Sequence, residues 1–143
     1  MVVSKGSIPL QALGYYIPFI TSFINNMRKI EREMINAIHA RKQWRKANTA
    51  VHIGYAGTML DHYKDAYMSV YLHGHQIARY FYNDGMRLEI NHQGWTTNTT
   101  KSRLNSLLLW LVPRYRIVQK NWEWFLTDTQ GQDVEFNSGW LTV

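Results

Sequence analysis

The chain of 143 residues fits one domain with a buried core, and its 45% hydrophobic and 14% aromatic content with only 3 prolines excludes a disordered protein. Cysteine is absent, which excludes disulfides, thiolate catalysis and Cys-containing zinc sites and suits a reducing compartment. The net charge of +6 sits wholly in residues 1–47, where eight Lys and Arg stand against Glu31 and Glu33 alone; residues 48–143 carry eight charges of each sign.

A cationic segment on a balanced remainder suits an anionic partner such as nucleic acid, an acidic protein face or a membrane surface, and a solvated helix face accounts for it equally well. In chain order, "IPLQALGYYIPFITSFI" at 8–24 is apolar and about as long as a bilayer span. Gln11, Gly14, Pro18, Thr21 and Ser22 interrupt it and no small-residue cleavage site follows, so it reads as a segment packed against protein. From Thr21 to Ala47 apolar residues recur at helical spacing through Met27, Ile30, Met34, Ala37 and Ile38, predicting an amphipathic helix that Asn48 stops. Arg41, Lys42, Arg45 and Lys46 then fall at its C-terminal end, where the helix dipole favours cations. A basic helical segment over 1–47 and an α+β domain over 48–143 follow.

Beyond Asn48 the period changes to two. "TAVHI" at 49–53 is a short strand and 54–66 a loop. Strands at 67–72, 77–82 and 86–90, separated by "HGHQ" and "NDG", form an antiparallel meander. Leu104, Leu107, Leu108 and Leu111 mark a helix over 99–112 that Pro113 ends. Two extended runs, 114–127 and 133–143, are expected to pair as a hairpin across "DTQGQ". The predicted fold class is α+β: a basic amphipathic N-terminal helix, an antiparallel sheet of about five strands, and one later helix packed on the sheet.

The stretch "GWTTNTTKSRLN" at 94–105 opens that later helix. Asn98 or Thr99 serves as an N-cap, which accounts for part of it. Capping does not account for Lys101 and Arg103, because cations in the first helical turn oppose the dipole. An anion held by Thr99, Thr100, Lys101 and Arg103, with Asn105 one turn on, is the functional reading; a capped helix whose cations reach water or a nearby acid is the structural one. "YLHGHQIA" at 71–78 followed by "GWTTNTTKSRLNSLL" at 94–108 resembles the signature of a family of small phage-encoded proteins. That resemblance implies an accessory role in the cytoplasm of an infected bacterial host and is silent on any activity.

Other chemistry is weakly signalled. His73 and His75 flank Gly74 at a hairpin tip, and spacing does not bring them to a third metal ligand. No nucleophile elbow, P-loop or paired-carboxylate motif is present, which leaves Asp61, His62, Asp65 and Glu89 as the remote elements of a nuclease. Trp122, Trp124, Tyr80 and Tyr82 read as core, with base stacking as the alternative. Trp44 differs: Arg41, Lys42, Arg45 and Lys46 around it oppose full burial and suit a contact residue. The resulting expectation is a non-enzymatic protein with no catalytic residue, metal or cofactor. It binds nucleic acid through phosphate contacts from Arg28, Lys29, Arg32, Arg41, Lys42, Arg45 and Lys46, with Trp44 beside them and Thr99, Thr100, Lys101 and Arg103 as a second anion contact. The alternative is an inhibitor or adaptor docked on an acidic host protein, with Tyr15, Tyr16, Phe19 and Trp44 as anchors. No membrane contact is expected, and residues 8–38 are apolar enough to support a homodimer.

Overall fold

Helix α1, Lys29–Ala40, buries Glu31, Met34, Ile35, Ala37 and Ile38, which recur at three- and four-residue steps along one stripe. The computed structural model describes residues 27–55, 66–82 and 85–143. The apolar run at 8–24, the anchors Tyr15, Tyr16 and Phe19, most of the 54–66 loop with Asp61, His62 and Asp65, and most of the 8–38 dimer segment ahead of Met27 lie outside the described residues. The expected helix continuing to Ala47 is corrected: α1 stops at Ala40. Arg41 takes a left-handed conformation (φ 52°), its N–H bonds the Ile38 carbonyl at 3.1 Å, and the Lys42 N–H bonds the Ala37 carbonyl at 3.0 Å. This is the pattern of a Schellman stop, usually signalled by glycine, and an arginine in that position hides it in the sequence.

The chain then runs extended through β1, Trp44–Lys46, and turns at Ala47 and Asn48 into β2, Thr49–Tyr55. Strands β3 (Ala66–Leu72), β4 (His75–Phe81) and β5 (Arg87–Ile90) continue the meander. The final strand β9, Leu141–Thr142, returns to β5, closing a six-stranded antiparallel sheet of order β1-β2-β3-β4-β5-β9. Pairing rows Val51–Val70–Ala78–Ile90 and Ile53–Met68–Tyr80–Leu88 line its inner face, against which the helices pack. The Tyr82 hydroxyl on this face donates to the Ile38 carbonyl near the end of α1.

Helix α2, Asn98–Leu111, buries Leu104, Leu107, Leu108 and Leu111 together with Trp110, Ser106, Thr100 and Arg103. It is covered on more than one side because a second sheet packs beside it. Strands β6 (Tyr115–Lys120), β7 (Glu123–Asp128) and β8 (Asp133–Glu135) form that three-stranded sheet. The Asn105 amide fastens it to α2 by accepting from the Ile117 N–H at 2.7 Å and donating to the Ile117 carbonyl at 3.2 Å. Ile117, Trp124, Leu126 and Phe136 complete the shared core.

The two C-terminal runs pair as expected across the 128–132 loop, through β7 and β8, but neither run is a single strand. Run 114–127 is itself a hairpin, β6–β7, because Asn121 (φ 51°) and Trp122 (φ 69°) form a two-residue turn with both central residues left-handed. Run 133–143 divides instead, β8 pairing with β7 and β9 with β5. Trp122 therefore stands 90% exposed at a hairpin tip, whereas Trp124 is core.

Leu107→Ala is expected to cost about 3–5 kcal/mol in chemical denaturation, since its site is fully buried. Trp122→Gly, which suits a left-handed turn and removes no core contact, is expected to raise stability by about 0.5–1 kcal/mol in the same measurement.

Candidate nucleic-acid interface

The helix mouth at 94–105 does hold an anion, and that anion is the protein's own. Arg103 is 3% exposed and Glu31 2%, and the Arg103 Nη1 lies 2.8 Å from Glu31 Oε2. Ser102 donates to the same carboxylate oxygen at 2.6 Å, while Arg103 Nε donates to the Thr49 hydroxyl at 3.0 Å and Nη2 to the Asn48 amide oxygen at 3.4 Å. A buried guanidinium so engaged is unavailable to a phosphate, which corrects the role expected of Arg103. Thr100 is buried, its hydroxyl 3.1 Å from that of Thr97. The N-cap is Thr97 and neither Asn98 nor Thr99, its side chain accepting the Thr100 N–H at 3.2 Å. Thr99 and Lys101 are half-buried, and Asn105 faces β6.

The remaining candidates follow the chain around the β1 edge of the large sheet. Arg28 just ahead of α1, Lys29 and Arg32 on it, Lys42 in the connection and Arg45 on β1 are exposed; none has an acidic partner among the described residues. Arg41 is exposed with its guanidinium carbon 4.1 Å from the centre of the Tyr82 ring. Lys46 reaches back to Glu33 at 3.0 Å, an exposed pair. Trp44, expected in contact with solvent, is half-buried: it pairs with Val51 on the inner face and packs against the core. Residues 28–46 thus form a cationic rim whose cations, apart from Lys46, lack acids of their own among the described residues.

The outer face of the six-stranded sheet carries a different set. Alternation places Arg45, Ala50, Tyr71 and Gln76 in one row, His52, Ser69, Arg79 and Glu89 in the next, and Tyr67, Phe81 and Arg87 in the third. The His52 and Tyr71 rings meet edge to face at 5.0 Å, and Tyr67 and Phe81 lie 4.8 Å apart. Tyr67 lies across Gly54, where a β-carbon would fall 2.5 Å from its ring, so the close approach requires glycine. Arg79 binds Glu89 at 2.9 Å and stacks 3.7 Å from the Trp140 ring centre. Tyr80 is buried and Tyr82 half-buried on the inner face, as the core reading expects and the base-stacking alternative does not, and Phe81 between them points outward. Burial pushes the Tyr80 hydroxyl up to about 12 despite the nearby Arg41 charge.

His73 and His75 are exposed, and His75 lies 5.5 Å from Trp95, itself 54% exposed. No group of three or more metal-ligating side chains converges among the described residues, and no helix among them is long and apolar enough to cross a membrane. His92 is a satisfied core residue: Nδ1 accepts the Gly94 N–H at 3.0 Å and Nε2 donates to the Phe136 carbonyl at 3.2 Å. Over residues 27–142 the sequence matches the protein family described as Kyanoviridae Gp96 protein. No curated protein and no solved structure matches the chain.

Glu31→Ala leaves Arg103 charged and buried without its carboxylate, and is expected to cost about 3–5 kcal/mol in denaturant titration. The double change Glu31→Leu with Arg103→Met is expected to cost less than Glu31→Ala alone. Burial also holds the His39 imidazole below its usual 6.5. The unfolded chain therefore binds more protons as pH falls past 6.5, so stability is full above that pH and declines below it. His39→Gln is expected to flatten the fall in Tm measured between about pH 7 and pH 5.

Proposed function

The chain belongs to the Kyanoviridae Gp96 protein family, a phage family, and from that premise we propose that it is a non-enzymatic accessory protein that binds nucleic acid through phosphate contacts. The observation that carries this reading is the cationic rim: Arg28, Lys29, Arg32, Lys42 and Arg45 are exposed with no acidic partner among the described residues. Exposed side chains of one sign attract a polyanion, release its counterions and place no demand on base sequence. Arg41 and Lys46 stand beside them with weaker engagements, over Tyr82 and with Glu33. Lys101 contributes from the half-buried start of α2, whereas Arg103 takes no part. The site of action under this reading is the cytoplasm of the infected bacterial host.

Trp122 favours a second reading, in which the chain is an inhibitor or adaptor of a host enzyme or defence complex. A tryptophan 90% exposed at the tip of a two-residue turn is a suitable anchor for a protein pocket.

Fluorescence anisotropy with labelled oligonucleotides tests the first reading. With about four phosphate contacts, affinity is expected to fall roughly 10²-fold between about 50 and 200 mM salt. The triple variant Arg28→Gln, Lys29→Gln, Arg32→Gln is expected to bind more weakly and to shrink the log–log salt slope by about 2–3. Affinity indifferent to salt and to these substitutions would exclude the phosphate rim.

A further inference from the structure

We propose that the outer face of the six-stranded sheet is a platform for single-stranded nucleic acid, on which His52 and Tyr71 stack bases while Arg45 holds the adjoining phosphate. The inference rests on the phosphate-binding reading and deepens it by naming the form of nucleic acid. Three observations carry it. Aromatic side chains repeat on this face in adjacent strands: His52 exposed on β2, Tyr67 and Tyr71 half-buried on β3, and Phe81 half-buried on β4. They stand there although the opposite face already holds the core, and among the described residues no helix packs over them.

Charge complementarity names the occupant. Among the described residues Arg45, Arg79 and Arg87 share the face with one acid, Glu89, which both Arg79 and Arg87 engage, so the guanidinium of Arg45 is left over, in the row that runs through Ala50 to Tyr71. An apolar protein surface gains nothing from that cation. A strand of bases with a phosphate on each nucleotide uses both the rings and the charge.

Continuity gives the third support. Arg45 lies on β1, at the edge of the sheet, and Lys42, Arg32 and Lys29 lead from it to the α1 side. A flexible single strand can pass from the rim around the β1 edge onto the aromatic face. A duplex, too stiff to bend around one strand and with its bases stacked inside, reaches only the rim.

The test compares a labelled thymidine oligonucleotide of about 15 residues with a duplex of the same length, on the full chain at low salt. Single-strand affinity is expected to exceed duplex affinity by roughly 10-fold or more. His52→Ala and Tyr71→Ala are each expected to lower single-strand affinity roughly 5- to 100-fold and leave duplex affinity unchanged. Tyr71→Phe, which keeps a ring, retains binding. His52 is exposed, so its substitution reads the platform even if loss of the half-buried Tyr71 perturbs folding.

Equal affinity for both forms, lost in the α1 variants but not in His52→Ala, would overturn the platform and leave the phosphate rim standing. Failure to bind either oligonucleotide would overturn both. A dimer by light scattering that His52→Ala dissociates would assign the face to a second copy and overturn the proposal.

Discussion

The buried pair of Glu31 and Arg103 is the constraint around which the described fold is arranged. One charge comes from α1 and the other from the start of α2, and Asn48 and Thr49, at the turn from β1 into β2, complete the guanidinium's hydrogen bonds. Two ions nearly sealed from water are tolerated only where geometry satisfies them, so this pair fixes the placement of three elements at once. It does not follow that the pair adds net stability, because desolvation offsets much of the attraction. Its physical consequence is specificity: other placements of α1 against α2 strand a charge.

From that junction the rest of the molecule builds outward. The inner face of the large sheet and the leucines of α2 bury one continuous core, with each large apolar side chain worth about 1.5–3 kcal/mol. Asn105, two residues beyond Arg103, then uses its amide as a substitute strand partner for Ile117 and so attaches the second sheet to the same helix. Polar side chains on α2 therefore do opposite tasks within one turn. Arg103 turns inward to a carboxylate, and Asn105 faces the backbone of β6.

Removing Arg103 from the cations available to a ligand makes the residual charge pattern sharper. Cations that no acid among the described residues neutralises run along α1 and the β1 edge, where the sheet presents both a charged border and an aromatic outer face. A border of positive charge and a face of planar side chains thus adjoin on one sheet. The proximity of Arg45 to both is a consequence of β1 being an extended edge strand instead of the last turns of a helix.

Local chemistry was sufficient for much of this. The period-two runs from Tyr67 to Ile90 specified the meander, and the leucine stripe with Pro113 specified α2 within one residue at each end, because both signals repeat over short separations. The end of α1 and the turn at Asn121 and Trp122 were illegible, since Arg41, Asn121 and Trp122 occupy left-handed conformations that glycine normally announces. Within the candidate site, the exposed cations of α1 were legible as a charge excess. The core placement of Tyr80 and Trp124 was legible as well, whereas the exposure of Trp122, read as core, was not, because it follows from the left-handed turn at Asn121 and Trp122. By itself the sequence determined the α+β class, most of the element types and the total of unbalanced charge, all properties of neighbouring residues. Only the tertiary structure decided that Arg103 is consumed by Glu31, 72 residues away, while Arg45 is left to solvent, because the fate of a charge depends on what folding brings beside it and chain neighbours carry no record of that.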